Sequence, residues 1–260
     1  MPFRSFRAQS RNVGRCSGPV SRLRSKRTVF GAFFLLAACD GSSALIRHDP
    51  KLPGPFPAAD RPVAHIVSAR WSTEEDRDRV NEAGDVMAKS GIKPGMTVAD
   101  IGAGEGYYTI RLAARVGKDG RVLAEDIFAN VRDALADRVA RERLDNVSVR
   151  LGSPADPRLP PASFDRVVMV HMYHEIERPY EFLWRMRPSL KPDGLIVVVD
   201  ADRPTQDHGT PPALLKCEFA AVGYQEVAVQ DMPSAGGYLA EFRATGPRPE
   251  PAAIKPCRLG

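Results

Sequence analysis

The sequence is poor in aromatic residues and in cysteine, and its hydrophobic runs are short. Aromatic side chains make up 7% of the 260 residues, which disfavours a carbohydrate-binding or single-strand nucleic-acid surface built on stacked rings. The four cysteines form no disulfide framework, and no Cys/His set has zinc-site spacing. We therefore expect no metal site, and we expect Cys217 and Cys257 to be separate thiols. Pairing of the two in an oxidising compartment is the alternative.

Positive charge is concentrated at the N-terminal end of the chain. Residues 1–38 hold eight of the 37 Lys and Arg residues and no acidic residue, so residues 39–260 have a net charge of −3 although the whole chain carries +5. The sequence pI of about 9.1 therefore reflects the N-terminal segment. A basic pI of this origin is no argument for nucleic-acid binding by the remainder, and we expect no nucleic-acid partner.

The first 38 residues have the pattern of an export signal. The basic stretch RLRSKR precedes the apolar run TVFGAFFLLAA at 28–38, which is too short to span a bilayer. The run leads into LAAC, and Asp40 follows Cys39. This resembles the lipobox of bacterial lipoproteins, which implies acylation of Cys39 and anchoring at the periplasmic face of a bacterial membrane. A plain signal peptide, or an apolar helix on a cytoplasmic enzyme, is the alternative.

Composition divides the chain into four segments. They are a leader at 1–38, a Pro-rich tether at 39–70, a regular domain at 71–245 and a Pro-rich tail at 246–260. We expect the tail to be disordered. Near the start of the domain, Ser72 and Glu75 have the spacing of a capping box, which predicts one helix over 73–89 that Gly91 ends.

Within the domain, short Val- and Ile-rich runs such as RVVMV and LIVVVD alternate with helical patterns. Continuous runs of this kind are typical of strands buried on both faces. Predicted strands are 97–101, 121–126, 147–151, 165–170 and 194–200, and predicted helices are 107–116, 129–143, 178–189 and 211–221. YQEVAVQD and GGYLAEFRA then read as two β segments without a helix between them. The sequence therefore predicts an α/β fold with a doubly wound, mostly parallel sheet and an antiparallel pair at one edge.

Three glycines alternate directly after the first predicted strand, in VADIGAGEGYYT at 98–109. Glycine permits positive φ and lets a ligand approach main-chain N–H groups, and the next helix points its positive end at the same place. A dinucleotide fingerprint would need glycine at Tyr107, and a phosphate-binding loop would need a Gly-Lys-Ser/Thr ending that is absent. The loop therefore predicts a cofactor with an anionic group and disfavours an NAD-dependent dehydrogenase.

VADIGAGEGYYT resembles the first motif of class I S-adenosylmethionine (SAM)-dependent methyltransferases, and GRVLAEDI resembles their second-strand motif. The resemblance covers about residues 70–245. It is nearest to small-molecule methyltransferases of the ubiquinone and menaquinone type and to exported methyltransferase-like proteins. It implies a seven-stranded Rossmann-like sheet with strand order 3-2-1-4-5-7-6 and strand seven antiparallel.

The resemblance also implies where SAM binds. The residues of the methionine site would be Asp100, Gly102, Ala103, Gly104 and Gly106. The loop amides would face the carboxylate of SAM, and the nearby acid suits its ammonium. The structural alternative is that Asp100 caps the following turn.

Two further positions concern the adenosine part. Asp126 ends the second strand and would accept both ribose hydroxyls, or else cap the helix near 129, while Glu125 should point to the other face of the strand. Ser153 stands where the family often has an aspartate for adenine. Either Ser153 or Asp156 would hydrogen-bond adenine, or backbone groups alone would do so.

The segment VMVHMYHEIERPYEF carries the candidates for the methyl-acceptor side. It follows strand four, beyond whose carboxyl end ligands bind in open α/β sheets. His174 is the first candidate for a catalytic base or acceptor-orienting residue, with Glu175 as its partner and His171 as the second candidate. Tyr173 can place its hydroxyl or ring near the cationic sulfonium. The alternative is that these residues only fasten the loop to the backbone.

The loop after strand five, DADRPTQDHGTPP, also faces the acceptor side. Arg203 and His208 there can bind an anionic substrate, although an ordinary solvated loop is the favoured interpretation. The sequence as a whole predicts a SAM-dependent methyltransferase that acts on an unidentified, small-molecule acceptor. The alternatives are a cytoplasmic enzyme whose leader is misread and a catalytically silent SAM-fold lipoprotein that binds a ligand or a partner.

Overall fold

The computed structural model describes residues 55–66 and 72–258. The leader at 1–38 and Cys39 lie outside the described residues, as does most of the 39–70 tether. The central element is a seven-stranded sheet with the order β3-β2-β1-β4-β5-β7-β6. Its strands are β1 Thr97–Ile101, β2 Arg121–Asp126, β3 Val147–Leu151, β4 Phe164–Val170, β5 Leu190–Asp200, β6 Tyr224–Met232 and β7 Gly237–Ala244. The predicted strand order is confirmed.

The first five strands pair in parallel, whereas β7 pairs antiparallel with both β5 and β6. The α-helices are α1 Glu74–Arg79, α2 Glu82–Lys89, α3 Tyr107–Val116, α4 Ala129–Arg141, α5 Pro179–Met186 and α6 Pro212–Ala221. Strands and α-helices alternate from β1 to α6, as the sequence predicts, except that β4 follows β3 without an α-helix between them. This topology brings the carboxyl ends of β1, β2, β4 and β5 to one edge of the sheet.

The central strands β4 and β5 are buried on both faces, which explains their continuous apolar runs. In β4, Val167 and Met169 belong to one hydrophobic cluster, and Val168 between them belongs to the cluster on the opposite face. β5 follows the same rule with Val198 on one side and Val199 on the other. Alternate residues of a strand point to opposite faces, so a strand covered on both sides has no polar position in its centre.

The predicted single helix over 73–89 is wrong, because the segment forms two helices. The cap of α1 is Thr73 rather than Ser72, and Thr73 Oγ1 accepts a hydrogen bond from the Asp76 backbone N–H at 3.1 Å. Asn81 then adopts a left-handed conformation with φ 56°. A left-handed residue cannot continue a right-handed helix, so the chain starts again at Glu82.

The tail expected to be disordered is instead packed over 246–258. Trp184 Nε1 donates a hydrogen bond to the Pro249 carbonyl at 2.8 Å, and Ile254 is buried in a core cluster. Cys257 forms a disulfide with Cys217 of α6. The expectation of two separate thiols is therefore wrong. Its many prolines disfavour regular helices and strands in the tail. Apolar contacts and the disulfide nevertheless hold it in one position.

The described part of the tether, residues 55–66, also packs against the domain. Phe56 meets Trp184 edge to face, with ring centroids 5.4 Å apart. The Arg61 guanidinium forms a buried ion pair with Glu218 of α6 at 2.8 Å. We call residues 55–66 the N-terminal arm. Among the helices of the described residues, none has the length and hydrophobicity needed to cross a membrane.

Candidate active site

The glycine loop between β1 and α3 has the backbone conformation that its sequence predicts. Gly102, Gly104 and Gly106 all have positive φ, at 67°, 55° and 93°. A Cβ on Gly106 would lie 2.5 Å from Leu135 Cδ1 of α4, so a side chain there would clash as well as strain the backbone. Gly106 is also the residue before the first turn of α3. The loop therefore presents bare backbone at the positive end of a helix.

Asp100 lies at the end of β1 and is 4% exposed. Its carboxylate accepts a hydrogen bond from Thr109 Oγ1 of α3 at 2.6 Å. Burial raises the pKa of Asp100 to about 6, and the Thr109 hydrogen bond opposes that rise. A cation placed beside this carboxylate would stabilise its charged form. The arrangement fits the expected role of Asp100 at an ammonium group. The hydrogen bond from Thr109 also gives Asp100 a structural role, because it ties the end of β1 to α3.

Asp126 connects the glycine loop to the start of α4. Its Oδ2 accepts from the Gly104 backbone N–H at 3.1 Å, and its Oδ1 accepts from the Phe128 backbone N–H at 2.9 Å. Phe128 directly precedes the first residue of α4. The carboxylate thus lies against the loop, as the cofactor interpretation requires. It also holds the β2–α4 turn through Phe128, but it does not cap α4, whose N-cap is Phe128 without a side-chain hydrogen bond. Burial raises its pKa.

Glu125 belongs to the site more closely than its predicted orientation suggests. The side chain is 1% exposed, and its Oε1 is buried without a hydrogen-bond partner among the described residues. Burial is the largest cause that raises its pKa to about 8, and the charge of Asp126 adds to it, whereas a hydrogen bond with the Gly102 backbone opposes it. Glu125 is therefore mainly protonated at neutral pH and contacts the same loop as its neighbour.

Ser153 and Asp156 form one tight turn after β3. The two residues make an isolated β-bridge, and Ser153 Oγ donates to the Asp156 carbonyl at 3.2 Å. Asp156 Oδ1 accepts from the Arg158 backbone N–H at 2.7 Å. Both candidates for adenine recognition therefore have partners within the chain. The turn lies next to Gly152, whose N–H donates to the Asp126 carbonyl at 3.0 Å.

On the acceptor side, the partner of His174 is Asp200 rather than Glu175. His174 Nδ1 lies 3.0 Å from Oδ1 and 3.1 Å from Oδ2 of Asp200, and both side chains are buried. Asp200 also accepts from the Ala201 backbone N–H at 2.9 Å and from Thr210 Oγ1 at 2.8 Å. A carboxylate with these donors makes Nδ1 the protonated ring nitrogen, which leaves a lone pair on Nε2.

The sequence misses Asp200 and Thr210. One signal could have found Asp200: the run LIVVVD ends β5 on an acidic residue just as TVADI places Asp100 near the end of β1. Acids at the carboxyl ends of neighbouring parallel strands meet at one edge of a sheet. Thr210 has no comparable signal, because its hydroxyl reaches Asp200 only through the path of the loop after β5.

The other two acceptor-side candidates from the segment after β4 are Tyr173 and His171. Tyr173 is fully buried, and its hydroxyl donates to Glu218 at 2.7 Å, so its predicted role beside a sulfonium is replaced by a packing role under the N-terminal arm. His171 follows β4 with a positive φ of 53°, and its backbone N–H donates to the Val199 carbonyl at 2.9 Å. Burial lowers the pKa of His171.

The loop after β5 brings His208 to this group and leaves Arg203 exposed. The rings of His174 and His208 meet edge to face with centroids 5.4 Å apart. One ligand-type atom from each of His174, Glu175 and His208 lies within 4.8 Å of the other two. The solvated-loop interpretation thus fits Arg203, whereas His208 is part of the site.

The cofactor side and the acceptor side are in contact. A Cβ on Gly102 would lie 3.2 Å from Met172 Cγ, so Met172, two residues before His174, covers the glycine loop. On the opposite side, Tyr107 donates to Asp78 at 3.1 Å and Tyr108 donates to Glu82 at 2.9 Å. Helices α1 and α2 are thereby held over the start of α3.

Residues 98–194 match the family model of a methyltransferase domain. The nocamycin O-methyltransferase of Saccharothrix syringae is 43% identical over 75 residues, which is 29% of this chain and 27% of that protein. The ubiquinone/menaquinone biosynthesis C-methyltransferase UbiE of Hydrogenovibrio crunogenus is 31% identical over 118 residues, 45% of this chain and 46% of that protein. The chain therefore matches less than half the length of these curated relatives.

Among solved structures, a SAM-dependent methyltransferase from Aquifex aeolicus has the same fold. The match has a TM-score of 0.56 and 22% sequence identity, and it covers 66% of this chain and 97% of the other. The fold likeness thus extends beyond the 98–194 match. It covers nearly all of the Aquifex protein.

Proposed function

We propose that the protein belongs to the class I SAM-dependent methyltransferases and transfers a methyl group from SAM to a small-molecule acceptor, which the match of residues 98–194 to a methyltransferase domain supports. The single observation that carries the proposal is the convergence of Asp100, the glycine loop and Asp126 at the carboxyl ends of β1 and β2. The names of its relatives include O- and C-methyltransferases. They support the reaction class and leave the acceptor atom open.

The cofactor of this family is SAM, and the residues of the site fit its chemistry. Gly102, Gly104 and Gly106 offer backbone that a Cβ would obstruct, which suits close approach of a carboxylate to main-chain N–H groups. The buried Asp100 carboxylate would hold the ammonium, because a cation beside it offsets its burial. The Asp126 carboxylate beside the loop would accept the ribose hydroxyls.

The acceptor would bind in the crevice beyond β4 and β5. SAM supplies an electrophilic methyl group on a sulfonium, and the chain must hold the acceptor atom in line with it at about 3 Å. Asp200 keeps His174 in the tautomer with a lone pair on Nε2. That lone pair can take the acceptor's proton or orient the acceptor. Met172 joins this crevice to the glycine loop.

We also propose that the protein is exported and lipid-anchored through Cys39. Two features support this. LAAC at 36–39 has the lipobox pattern after an apolar run, and the Cys217–Cys257 disulfide is of a kind that persists in oxidising compartments. Mass spectrometry of the mature N-terminus would test it. An acylated N-terminal Cys39 is expected, and an unprocessed chain would contradict the proposal.

The proposed reaction is tested in two steps with the full-length protein. Isothermal titration should give one SAM site, and Asp126→Ala should weaken it while Asp133→Ala, an exposed acid on α4, should not. Transfer of radiolabelled methyl groups from SAM into a panel of small molecules should then give a labelled product. SAM binding without transfer to any acceptor would instead support the ligand-binding module. Absence of SAM binding would refute both.

A further inference from the structure

We propose that His174, Glu175 and His208 form a binding site for one divalent transition-metal ion, with Zn²⁺ as the ion best suited to the donors. The spacing of these residues in the sequence gives no zinc motif, because they come from two different loops. The fold brings them together where the segment after β4 meets the loop after β5.

The distances are close to those of a metal site. One ligand-type atom of each side chain lies within 4.8 Å of the other two. Zinc bonds of about 2.0–2.2 Å place tetrahedral ligands roughly 3.4 Å apart. The side chains therefore need to close by about 1.4 Å at most around such an ion. Glu175 and His208 are only partly buried, so their side chains have room to adjust.

His174 has a carboxylate partner for its second ring nitrogen, as metal-binding histidines require. A ligating imidazole almost always donates its other N–H to a carboxylate or carbonyl, which fixes its ring and its tautomer. Asp200 takes that role, with 3.0 Å between Nδ1 and Oδ1. Thr210 and the Ala201 N–H hold Asp200 in turn. Nε2 of His174 is thus a pre-oriented ligand.

His208 provides a second, independent indication. Its Nδ1 is buried without a hydrogen-bond partner among the described residues. Buried polar atoms in folded proteins nearly always have a partner. An ion that binds the His208 ring would account for this buried ring. His208 lies in a loop and has a left-handed backbone conformation, with φ 58°.

The donor set favours a transition metal over magnesium or calcium. Two imidazoles and one carboxylate suit Zn²⁺ and Fe²⁺, whereas Mg²⁺ and Ca²⁺ prefer oxygen ligands alone. Three protein ligands also leave coordination positions open. The site is therefore of the type that binds a further small ligand through oxygen, nitrogen or sulfur.

The role of the ion rests on the proposed function, although its binding does not. Two of its ligands, His174 and Glu175, closely follow Met172 in the sequence, and Met172 packs against Gly102 of the glycine loop. A hydroxyl or thiol acceptor bound to it would release its proton to water at lower pH than in solution. The new bond would then form between the acceptor atom and the methyl carbon as the sulfonium C–S bond breaks. His174 would serve as a ligand in that state and not as a base.

Direct ion binding tests the proposal. Untagged full-length protein is stripped with EDTA and titrated with Zn²⁺ in competition with a chromophoric chelator. We expect one ion per chain, a loss of affinity of about 100-fold or more in His208→Ala and Glu175→Gln, and a loss of about 10- to 100-fold in Asp200→Asn. His65→Ala, which removes an exposed histidine of the N-terminal arm, should bind as the parent protein does.

Two controls keep the outcome decisive. Thermal unfolding of each variant in EDTA shows whether it is folded, and the partly exposed positions of Glu175 and His208 favour this. Absence of stoichiometric Zn²⁺ binding, or equal affinity in the parent protein, His208→Ala and Glu175→Gln, would overturn the proposal. SAM is titrated separately with stripped protein, so failure of the ion site and failure of the SAM site are distinguishable.

Discussion

Glu125 of β2 and Gly152 after β3 face each other so closely that a Cβ on Gly152 would lie 1.5 Å from Glu125 Oε1. The carboxyl group therefore occupies the space of the missing side chain. It does so next to Asp126 and with the Gly102 backbone as a hydrogen-bond partner. A protonated glutamic acid is thus packed beside the glycine loop and Asp126, to which the proposed function assigns SAM binding.

Glu125→Gln should stabilise the protein increasingly as the pH rises. The pKa of Glu125 is about 8 in the folded protein against a usual value of 4.5, so folding takes up a proton between these pH values and stability falls as pH rises through that window. Glutamine removes this dependence without a change of shape. We expect a gain on the order of 2–4 kcal/mol at pH 8 and little change at pH 4. Urea unfolding across this pH range measures it.

The matched control for that variant is Glu75→Gln on the exposed side of α1. It makes the same chemical change at a solvated position and should leave the pH dependence as in the parent protein. Equal slopes of unfolding free energy against pH in Glu125→Gln and the parent would show that the Glu125 carboxyl is ionised in the folded state.

Gly102→Ala should weaken SAM binding at least tenfold. The residue has φ 67° and would direct its new methyl group at Met172, so the loop must shift to accommodate it. Gly95→Ala is the matched control, because Gly95 also has positive φ, 84°, but has nothing within 4 Å of its Cβ position. Strain of about 1–2 kcal/mol is common to both variants. Isothermal titration should separate them, and equal SAM affinities would place the cofactor elsewhere.

Asp200→Asn should lower methyl transfer by roughly 100-fold or more while SAM affinity stays within a factor of about three. The amide no longer holds a charge opposite His174, so the ring loses its fixed tautomer. Turnover of an acceptor found by screening, together with SAM titration, checks both halves. A parallel fall in SAM affinity would mean that Asp200 supports the fold of the crevice and not the orientation of His174.

Removal of the disulfide by Cys217→Ser with Cys257→Ser should destabilise the protein. The bond closes a loop with a sequence separation of 40 residues, for which loop entropy gives about 4 kcal/mol. Urea unfolding of the oxidised parent protein and of the double variant gives the difference. Addition of reductant should bring the parent to the level of the variant and should not affect the variant itself.

The strands were predictable because each depends on a local pattern. The bounds of β1, β2 and β3 match the sequence prediction, since each is a short run with a strand pattern set off from its neighbours by turn residues. The break between α1 and α2 could not be predicted, because Asn81 can either join a helix or adopt a positive φ. The tail was missed for a different reason. Its order depends on Trp184 and Cys217, which are distant in sequence.

The candidate site shows the same division. Asp100, the glycine loop and Asp126 sit in one βαβ unit, so their spacing in the sequence fixes their proximity. The acceptor side joins two loops that only the sheet order makes neighbours. Sequence spacing therefore paired His174 with the adjacent Glu175, whereas the fold supplies Asp200 from the next strand.

Cys217 and Glu218 are consecutive residues of α6, and each fastens a different peripheral segment. Cys217 binds the tail covalently, and Glu218 holds Arg61 of the N-terminal arm. The arm continues to Ala64, whose N–H donates to the carbonyl of His174 at 3.2 Å. A single helical turn thus fastens both the tail, through a bond that reductants break, and the arm that is hydrogen-bonded to the backbone of His174.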